Sequence, residues 1–411
     1  MPFSLRPPSP ERDAWAVLAA VHGLGPVGLA ALLVRYGSGV AILTEATSSG
    51  GVARLAATPG EQRVDGLARR HPINSTLAEA IAEAATDAAA TLERIRGEGI
   101  DVVTLEEPLY PHRLAAIALP PHLLFVKGDL SALDPARAVA VVGTRHPTTS
   151  GRRLAARIAG ALARVEATVV SGLAVGIDGE AHEAALMAGG STVAVIGSGH
   201  ARLFPRGHTR LAERIVRSGG AVVSELPPDV EATAGTFPRR NRVIAGMSDA
   251  TVVVEAPARS GALITASWAL EEGRDAFLVP GGIGEPTSAG CLSFLRENQG
   301  AARIVAGVPQ LLDDLGLIDH DAPAAVATST NAEATLVELG GTAGRIGREL
   351  VAGRTTVDEL VAVTGLPVAT VLGALTLLED RGLVRDAYGR YRPVGALAVV
   401  EADRRRPVAT R

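Results

Sequence analysis

The sequence is poor in several residue types, and each scarcity removes a class of function. It has one cysteine, Cys291, in 411 residues, which excludes an internal disulfide and a cysteine-built metal cluster. Aromatic residues make up only 3% of the chain, with six phenylalanines in all. Lysine occurs once, as Lys127, among 40 basic residues, so the placement of the arginines says more than their number. A net charge of -4 excludes nucleic-acid binding by bulk charge; such binding has to come from a local basic patch. There is no GxxxxGKS/T phosphate loop, no GxSxG nucleophile elbow and no HExxH zinc motif. Gly197-Ser198-Gly199 is followed by His200, Ala201 and Arg202, so the third glycine of a dinucleotide fingerprint is missing. No nicotinamide, flavin or other cofactor is expected, and no metal.

Long apolar runs are also scarce. The best, residues 15–34, carries no Asp, Glu, Lys or Arg, but Gly23, Gly25, Pro26 and Gly28 split it into two short halves. The residues before it (Arg6, Glu11, Arg12, Asp13) do not form a signal-peptide leader. The expectation is a cytoplasmic protein with no membrane partner.

What is present suits two or three domains. Residues 15–21 and 29–36 read as helices joined by a Gly/Pro turn. That turn is either a helix-hairpin-helix offering backbone N–H groups to phosphate or, with few arginines nearby, a plain helical hairpin. Residues 59–75 are turn-rich and read as a linker; 77–96 form an alanine-rich helix that Gly97-Glu98-Gly99 ends. An N-terminal helical (helix-hairpin-helix/SAM-like) domain is thus placed at 1–98.

From residue 138 the texture changes. Apolar, β-branched runs at 138–142, 168–170, 192–196, 221–223, 251–254 and 276–279 alternate with helical stretches such as 152–164 and 179–188. Continuous apolar strands separated by helices predict a Rossmann-like, doubly wound, mostly parallel α/β sheet, here within residues 99–318. A Pro/Ala/Thr-rich segment at 321–329 reads as a linker, assigned 319–332. Helix 356–364, a turn, helix 367–381 and a glycine-flanked hairpin at 382–392 predict a winged helix at 333–395. Leu360, Val363, Val371, Leu375 and Leu378 fall at core spacing in it. Its second helix has no basic residue before Arg381, which favours a protein contact or a weak DNA role.

The turns after the predicted strands are built from small residues: Gly143-Thr144-Arg145, Ser171-Gly172-Leu173, Gly197-Ser198-Gly199, Ser224-Glu225, Glu255-Ala256-Pro257 and Pro280-Gly281-Gly282. In a parallel sheet these lie at the carboxyl ends of the strands, the ligand-binding rim. Small residues there let a backbone approach a phosphate, while helix N-termini supply partial positive charge. The plainer reading is that they only keep the turns tight. Asp178 and His182, four apart, would share a helix face as an acid–base pair; an N-cap aspartate and a histidine bonded to a neighbouring loop is the favoured reading.

One stretch points to a ligand. Phe237-Pro238-Arg239-Arg240-Asn241-Arg242 sets three guanidiniums and an amide directly after an aromatic ring. The Phe-Pro pair predicts extended rather than helical backbone there. A ring to stack on a base, followed by forks that grip phosphate, suits a groove for single-stranded nucleic acid. The bland alternative is a solvated basic loop with its phenylalanine in the core. Phe204-Pro205-Arg206 repeats the aromatic-proline-arginine order upstream.

These motifs together resemble the DNA-processing protein A family (DprA, Smf). The resemblance is carried, in order, by Val141-Val142-Gly143-Thr144-Arg145, Ser171-Gly172-Leu173-Ala174 and Gly176-Ile177-Asp178 with Ala181-His182. It continues through the run from Phe237 to Gly246, Val254-Glu255-Ala256 with the run from Ser260 to Ala266, and Val279-Pro280-Gly281. It implies a single-stranded DNA-binding protein of natural transformation that protects incoming strands, anneals complements and loads the recombinase RecA. It further implies a homodimer and no catalytic turnover. The candidate DNA contacts are Arg145, Arg206, Phe237, Arg239, Arg240, Asn241 and Arg242, together with the rim residues Gly143, Thr144, Ser171 and Gly172. Two positions depart from the family pattern: Val175 stands where an arginine is usual, and Phe204 where a tyrosine is usual. The alternative is a nucleotide N-glycosidic hydrolase, suggested by the loop Pro280-Gly281-Gly282-Ile283-Gly284-Glu285, with Glu255 or Glu285 as its carboxylate.

Overall fold

The apolar runs build one nine-stranded sheet. The computed structural model describes residues 9–58, 61–64, 67–70, 73–318, 335–336, 339–387, 390–393 and 397. They fall into two units, Met1–Ile318 and Asp319–Arg411. In the first, a short antiparallel hairpin, β1 (Glu61–Val64) and β2 (Leu67–Arg70), precedes the strands of the sheet. These are β3 (Asp101–Thr104), β4 (Leu123–Gly128), β5 (Ala138–Val142), β6 (Thr168–Ser171), β7 (Thr192–Ile196) and β8 (Ala221–Ser224). They continue with β9 (Ala250–Val253), β10 (Asp275–Leu278) and β11 (Ala302–Ile304). Their spatial order is β11-β10-β9-β5-β6-β7-β8-β4-β3. Only β4 runs against the rest, pairing antiparallel with both β8 and β3.

The six expected strands are β5 to β10, each within about one residue of its predicted bounds. Strands β5 to β9 are buried along their whole length, which is why they read as unbroken apolar runs. Alternate residues of β5 serve opposite faces. Val139 and Val141 pack with the helices Thr149–Arg164 and Ile177–Met187, whereas Ala140 and Val142 pack with Thr236–Gly246 and Gly261–Glu271. From β5 the chain steps outward through β6, β7 and β8, then returns to lay β9 on the other side of β5. That reversal opens a crevice beyond the carboxyl ends of β5 and β9, where open α/β sheets bind their ligands.

The N-terminal helices share a core with the antiparallel edge: Trp15, Leu18, Leu32, Ile42 and Ile81 pack with Val102 of β3 and with Leu123 and Phe125 of β4. The expected helix at 77–96 is two helices, Ser75–Thr86 and Ala88–Gly97, separated at Asp87. The apolar run 15–34 is likewise divided between helices Pro10–Ala19 and Pro26–Tyr36. Among the described residues no single helix is long and apolar enough to cross a membrane. Of the turn-rich segment 59–75, residues 59–60, 65–66 and 71–72 lie outside the described residues; most of the rest is the β1–β2 hairpin.

In the second unit, helices Gly341–Val351, Val357–Thr364 and Val368–Asp380 lead into an antiparallel wing, β12 (Val384–Ala387) and β13 (Arg390–Pro393). Leu360, Val371, Leu375 and Leu378 fill its core with Ile346 and Leu350. Val363, expected in that core, is 46% exposed instead. Thr356 and Glu359 form a reciprocal capping box that fixes where the second helix starts. The expected linker at 321–329 lies outside the described residues.

Candidate nucleic-acid interface

A cavity of about 340 Å³ lies in the crevice beyond β5 and β9. Its walls include Gly143, Thr144, Arg145 and His146 from the turn after β5, and Asp178 from the helix after β6. Phe237, Pro238, Arg240 and Asn241 close another side, and Arg259, Ser260 and Gly261 form the lip that starts helix Gly261–Glu271.

The Phe237–Arg242 stretch is helical, which corrects the extended reading. Helix Thr236–Gly246 begins one residue before Phe237, so Pro238 falls in its first turn. Backbone N–H groups of a first turn have no intrahelical acceptor, and a proline there removes no hydrogen bond. Helical rotation then sends successive side chains in different directions. Arg239 points outward with 53% of its side chain exposed, and lies 3.7 Å from Glu225. Arg240, Asn241 and Arg242 are buried. Arg240 donates to the Gly172 carbonyl at 2.5 Å and to the Val195 carbonyl, tying the helix to the ends of β6 and β7. Asn241 donates to the Gly261 carbonyl at 3.0 Å. Arg242 donates to the Leu119 carbonyl at 2.8 Å and to Glu225 at 2.5 Å. These three hold the cavity wall in place through these bonds; both Arg240 bonds come from Nη1, and its buried Nε has no partner among the described residues.

The rim glycines and hydroxyls also serve the protein itself. A side chain on Gly172 would collide with Arg240 and Asp178, and one on Gly143 with Ile177. Ser171 donates to the Val141 carbonyl at 2.6 Å, and the Thr144 hydroxyl accepts the His146 N–H at 3.2 Å. Asp178 sits where a phosphate was expected: it accepts the Gly172 N–H at 3.1 Å and is bonded by the N–H groups of Ala174 and Gly143. Glu255 accepts the Thr148 N–H at 2.9 Å and the Thr148 hydroxyl at 2.5 Å, at the N-terminus of helix Thr149–Arg164. Internal carboxylates therefore fill both anion-binding turns. Gly143, Thr144, Ser171 and Gly172 shape the rim from beneath, a correction to their expected contact with the ligand's phosphates.

Burial raises the Asp178 carboxyl above its ordinary value, against the pull of Arg240. Burial lowers the Arg240 guanidinium to about 10, so it stays protonated at neutral pH. His182 is fully buried and lies 2.7 Å through Nδ1 from the Thr192 hydroxyl. That hydroxyl donates its hydrogen to the Val169 carbonyl, so Nδ1 carries the imidazole proton and Nε2 is left without a partner. Desolvation, then the nearby His208 and Arg240, push the His182 pKa down to about 3. It is a neutral structural group, not half of an acid–base pair. Asp178 is also not the N-cap, a position Gly176 takes.

Below pH 6.5 the unfolded chain protonates His182 while the folded chain does not, until pH falls to about 3. Stability therefore declines through that window by up to about 1.4 kcal/mol per pH unit. Urea melts at pH 7 and pH 5 should differ by about 2 kcal/mol more in the wild type than in His182→Gln. Equal pH dependence in the two proteins would remove the argument.

The solvent side of the cavity is different. The exposed Arg145 guanidinium lies over the Phe237 ring, 5.0 Å from its centroid. Gly197 packs beneath that ring, where a side chain would come within 3.1 Å. Phe204 adjoins it at 5.9 Å between centroids, tilted 53°, and is 47% exposed. Beyond Phe204 a second depression of about 380 Å³ carries Arg202 and Arg206, both exposed. Of the expected arginines, Arg145 and Arg206 thus reach solvent beside the rings and Arg239 beside Glu225, and Arg240 and Arg242 do not. Arg259, exposed at the cavity lip, was missed; its place directly before Ser260-Gly261 was the available signal.

The model of the family described as DNA recombination-mediator protein A matches residues 101–316. The chain belongs to that family. The DprA winged helix domain matches residues 330–390. Protein Smf of Escherichia coli is 39% identical over 293 residues, 71% of this chain and 76% of that protein. DNA processing protein DprA of Bacillus subtilis is 38% identical over 213 residues, 52% of this chain and 71% of that one. The X-ray structure of DprA from Streptococcus pneumoniae aligns with a TM-score of 0.58 at 30% identity, covering 74% of this chain and 97% of that one. The DprA match spans every strand of the sheet from β3 to β11.

Proposed function

We propose that the rim around β5, β7 and β9 holds single-stranded DNA, and that the protein delivers the strand to RecA during recombination and natural transformation. The observation that carries this reading is the contiguous set of the exposed Arg145, the half-buried Phe237 and the exposed Phe204 at the mouth of the crevice. Aromatic faces bind bases only where the bases are unpaired, and nearby guanidiniums track the backbone. A chain of net charge -4 gains nothing from bulk attraction, so these local groups have to supply the affinity. A cytoplasmic homodimer is part of the proposal. In the winged helix, Val368, Leu372 and Leu377 are exposed and the helix has no basic residue, which supports a protein contact there. The hydrolase alternative is less well supported, because Glu255 is engaged at Thr148 rather than free to activate water.

Titrating matched single-stranded and duplex oligonucleotides across salt tests the proposal. Single strands should bind more tightly, with log affinity falling against log salt at a slope of about 2, roughly 0.7 for each of three exposed arginines. Equal or tighter duplex binding would overturn it, and release of free base from nucleoside monophosphates would favour the hydrolase.

A further inference from the structure

We infer that the strand path continues past the cavity, over Phe204, into the second depression, where Arg202 holds a further phosphate. This rests on the single-strand reading above. Phe237 offers little free ring surface: it is half-buried, with Arg145 over it and Gly197 beneath. No base fits between Phe237 and Phe204. A sandwiched base needs near-parallel rings about 7 Å apart, twice the roughly 3.4 Å spacing of stacked bases, whereas these are 5.9 Å apart and tilted 53°. The two rings form a ridge, and the stacking surface it leaves open is that of Phe204, which lines the second depression.

The depression's size, about 380 Å³, is close to the 340 Å³ of the cavity on the other side of the ridge. Both suit a unit of small-molecule size such as one nucleotide. Arg202 and Arg206 line it without an ion pair among the described residues. Exposed arginines elsewhere on this unit are commonly paired, as Arg152 is with Glu180, Arg214 with Glu183 and Arg303 with Asp314. Glu231, the one acidic residue of the depression, leaves two guanidiniums against one carboxylate. Arg202 also ends the Gly197-Ser198-Gly199-His200-Ala201-Arg202 turn, directly on the rim after β7.

Fluorescence anisotropy with labelled oligothymidylates of about 2 to 12 nucleotides separates the two sites. Wild-type affinity should climb in two steps with length. Arg202→Ala should remove the upper step, a loss of about tenfold or more on long strands, and lower the salt slope there by about 0.7. Phe204→Ala should weaken long strands on the order of tenfold. Arg202→Ala should bind the shortest oligonucleotides as the wild type does. Arg202→Glu should exaggerate the length-dependent loss. Wild-type affinity of both Arg202 variants at every length, or equal weakening at every length, overturns the inference. Absence of single-strand binding by the wild type overturns the parent reading and this inference with it.

Discussion

Arg240→Met lowers stability by about 3–5 kcal/mol, the range for leaving a buried charge without its countercharge, and takes DNA affinity with it. Asp178 is buried with its carboxylate facing Arg240, and no other cationic side chain draws its pKa down. Without the guanidinium that charge is stranded, and the Gly172 and Val195 carbonyls lose their donor. Arg240→Lys rescues only part of the loss, because it restores the positive charge beside Asp178 but not the planar guanidinium that donates to the Gly172 and Val195 carbonyls. Pairing Arg240→Met with Asp178→Asn recovers stability by removing the unpaired charge. Urea unfolding at pH 7 of the wild type, the two single variants and the double variant measures this. A Met variant within about 1 kcal/mol of wild type would mean that the pair holds nothing together.

Arg240 also marks the boundary of what the sequence made legible. The strands β5 to β10 could be read because both faces are covered, so most of their residues are apolar and the runs stand out. Strands β3 and β11 are the sheet edges and β4 lies between β3 and β8; the three are three to six residues long and carry Asp101, Lys127 or Arg303. Their pattern is correspondingly weak, and they were not foreseen. The rim was foreseen, since small residues after each strand have to lie there. Which of its groups face solvent was not. Reading Phe237–Arg242 as extended made all three arginines equivalent, whereas a helix starting at Thr236 exposes Arg239 and buries Arg240 and Arg242. The misreading came from Pro238, a helix breaker in an interior turn but neutral in a first turn. Likewise, the glycines marked the right turns for the wrong occupant. The anions held there are Asp178, six residues beyond Gly172 on the following helix, and Glu255, which comes from just after β9, 107 residues beyond Thr148.

Because those turns are already filled, a nucleic acid has to be held from outside them, by side chains reaching over the rim. Replacing Arg145 and Arg206 together should therefore have a larger effect on binding than any change to the glycine turns that leaves the fold intact. Each exposed guanidinium contributes a charge-assisted contact of about 1.5–3 kcal/mol. The double alanine variant should thus lose at least about a hundredfold in affinity for single strands at low salt. The salt slope should shrink by about 1.4, twice the single-strand value per contact. Arg145→Lys discriminates charge from geometry: it keeps the slope but loses the guanidinium that lies over Phe237, 5.0 Å from the ring centroid. Arg96→Ala serves as the control, since Arg96 is bonded to Asp13 at 2.7 Å on the N-terminal helices and should leave binding unchanged. Thermal melts should stay close to wild type for the double variant, because both side chains are exposed. If it still binds single strands with wild-type affinity and slope, the DNA lies on another surface of the molecule.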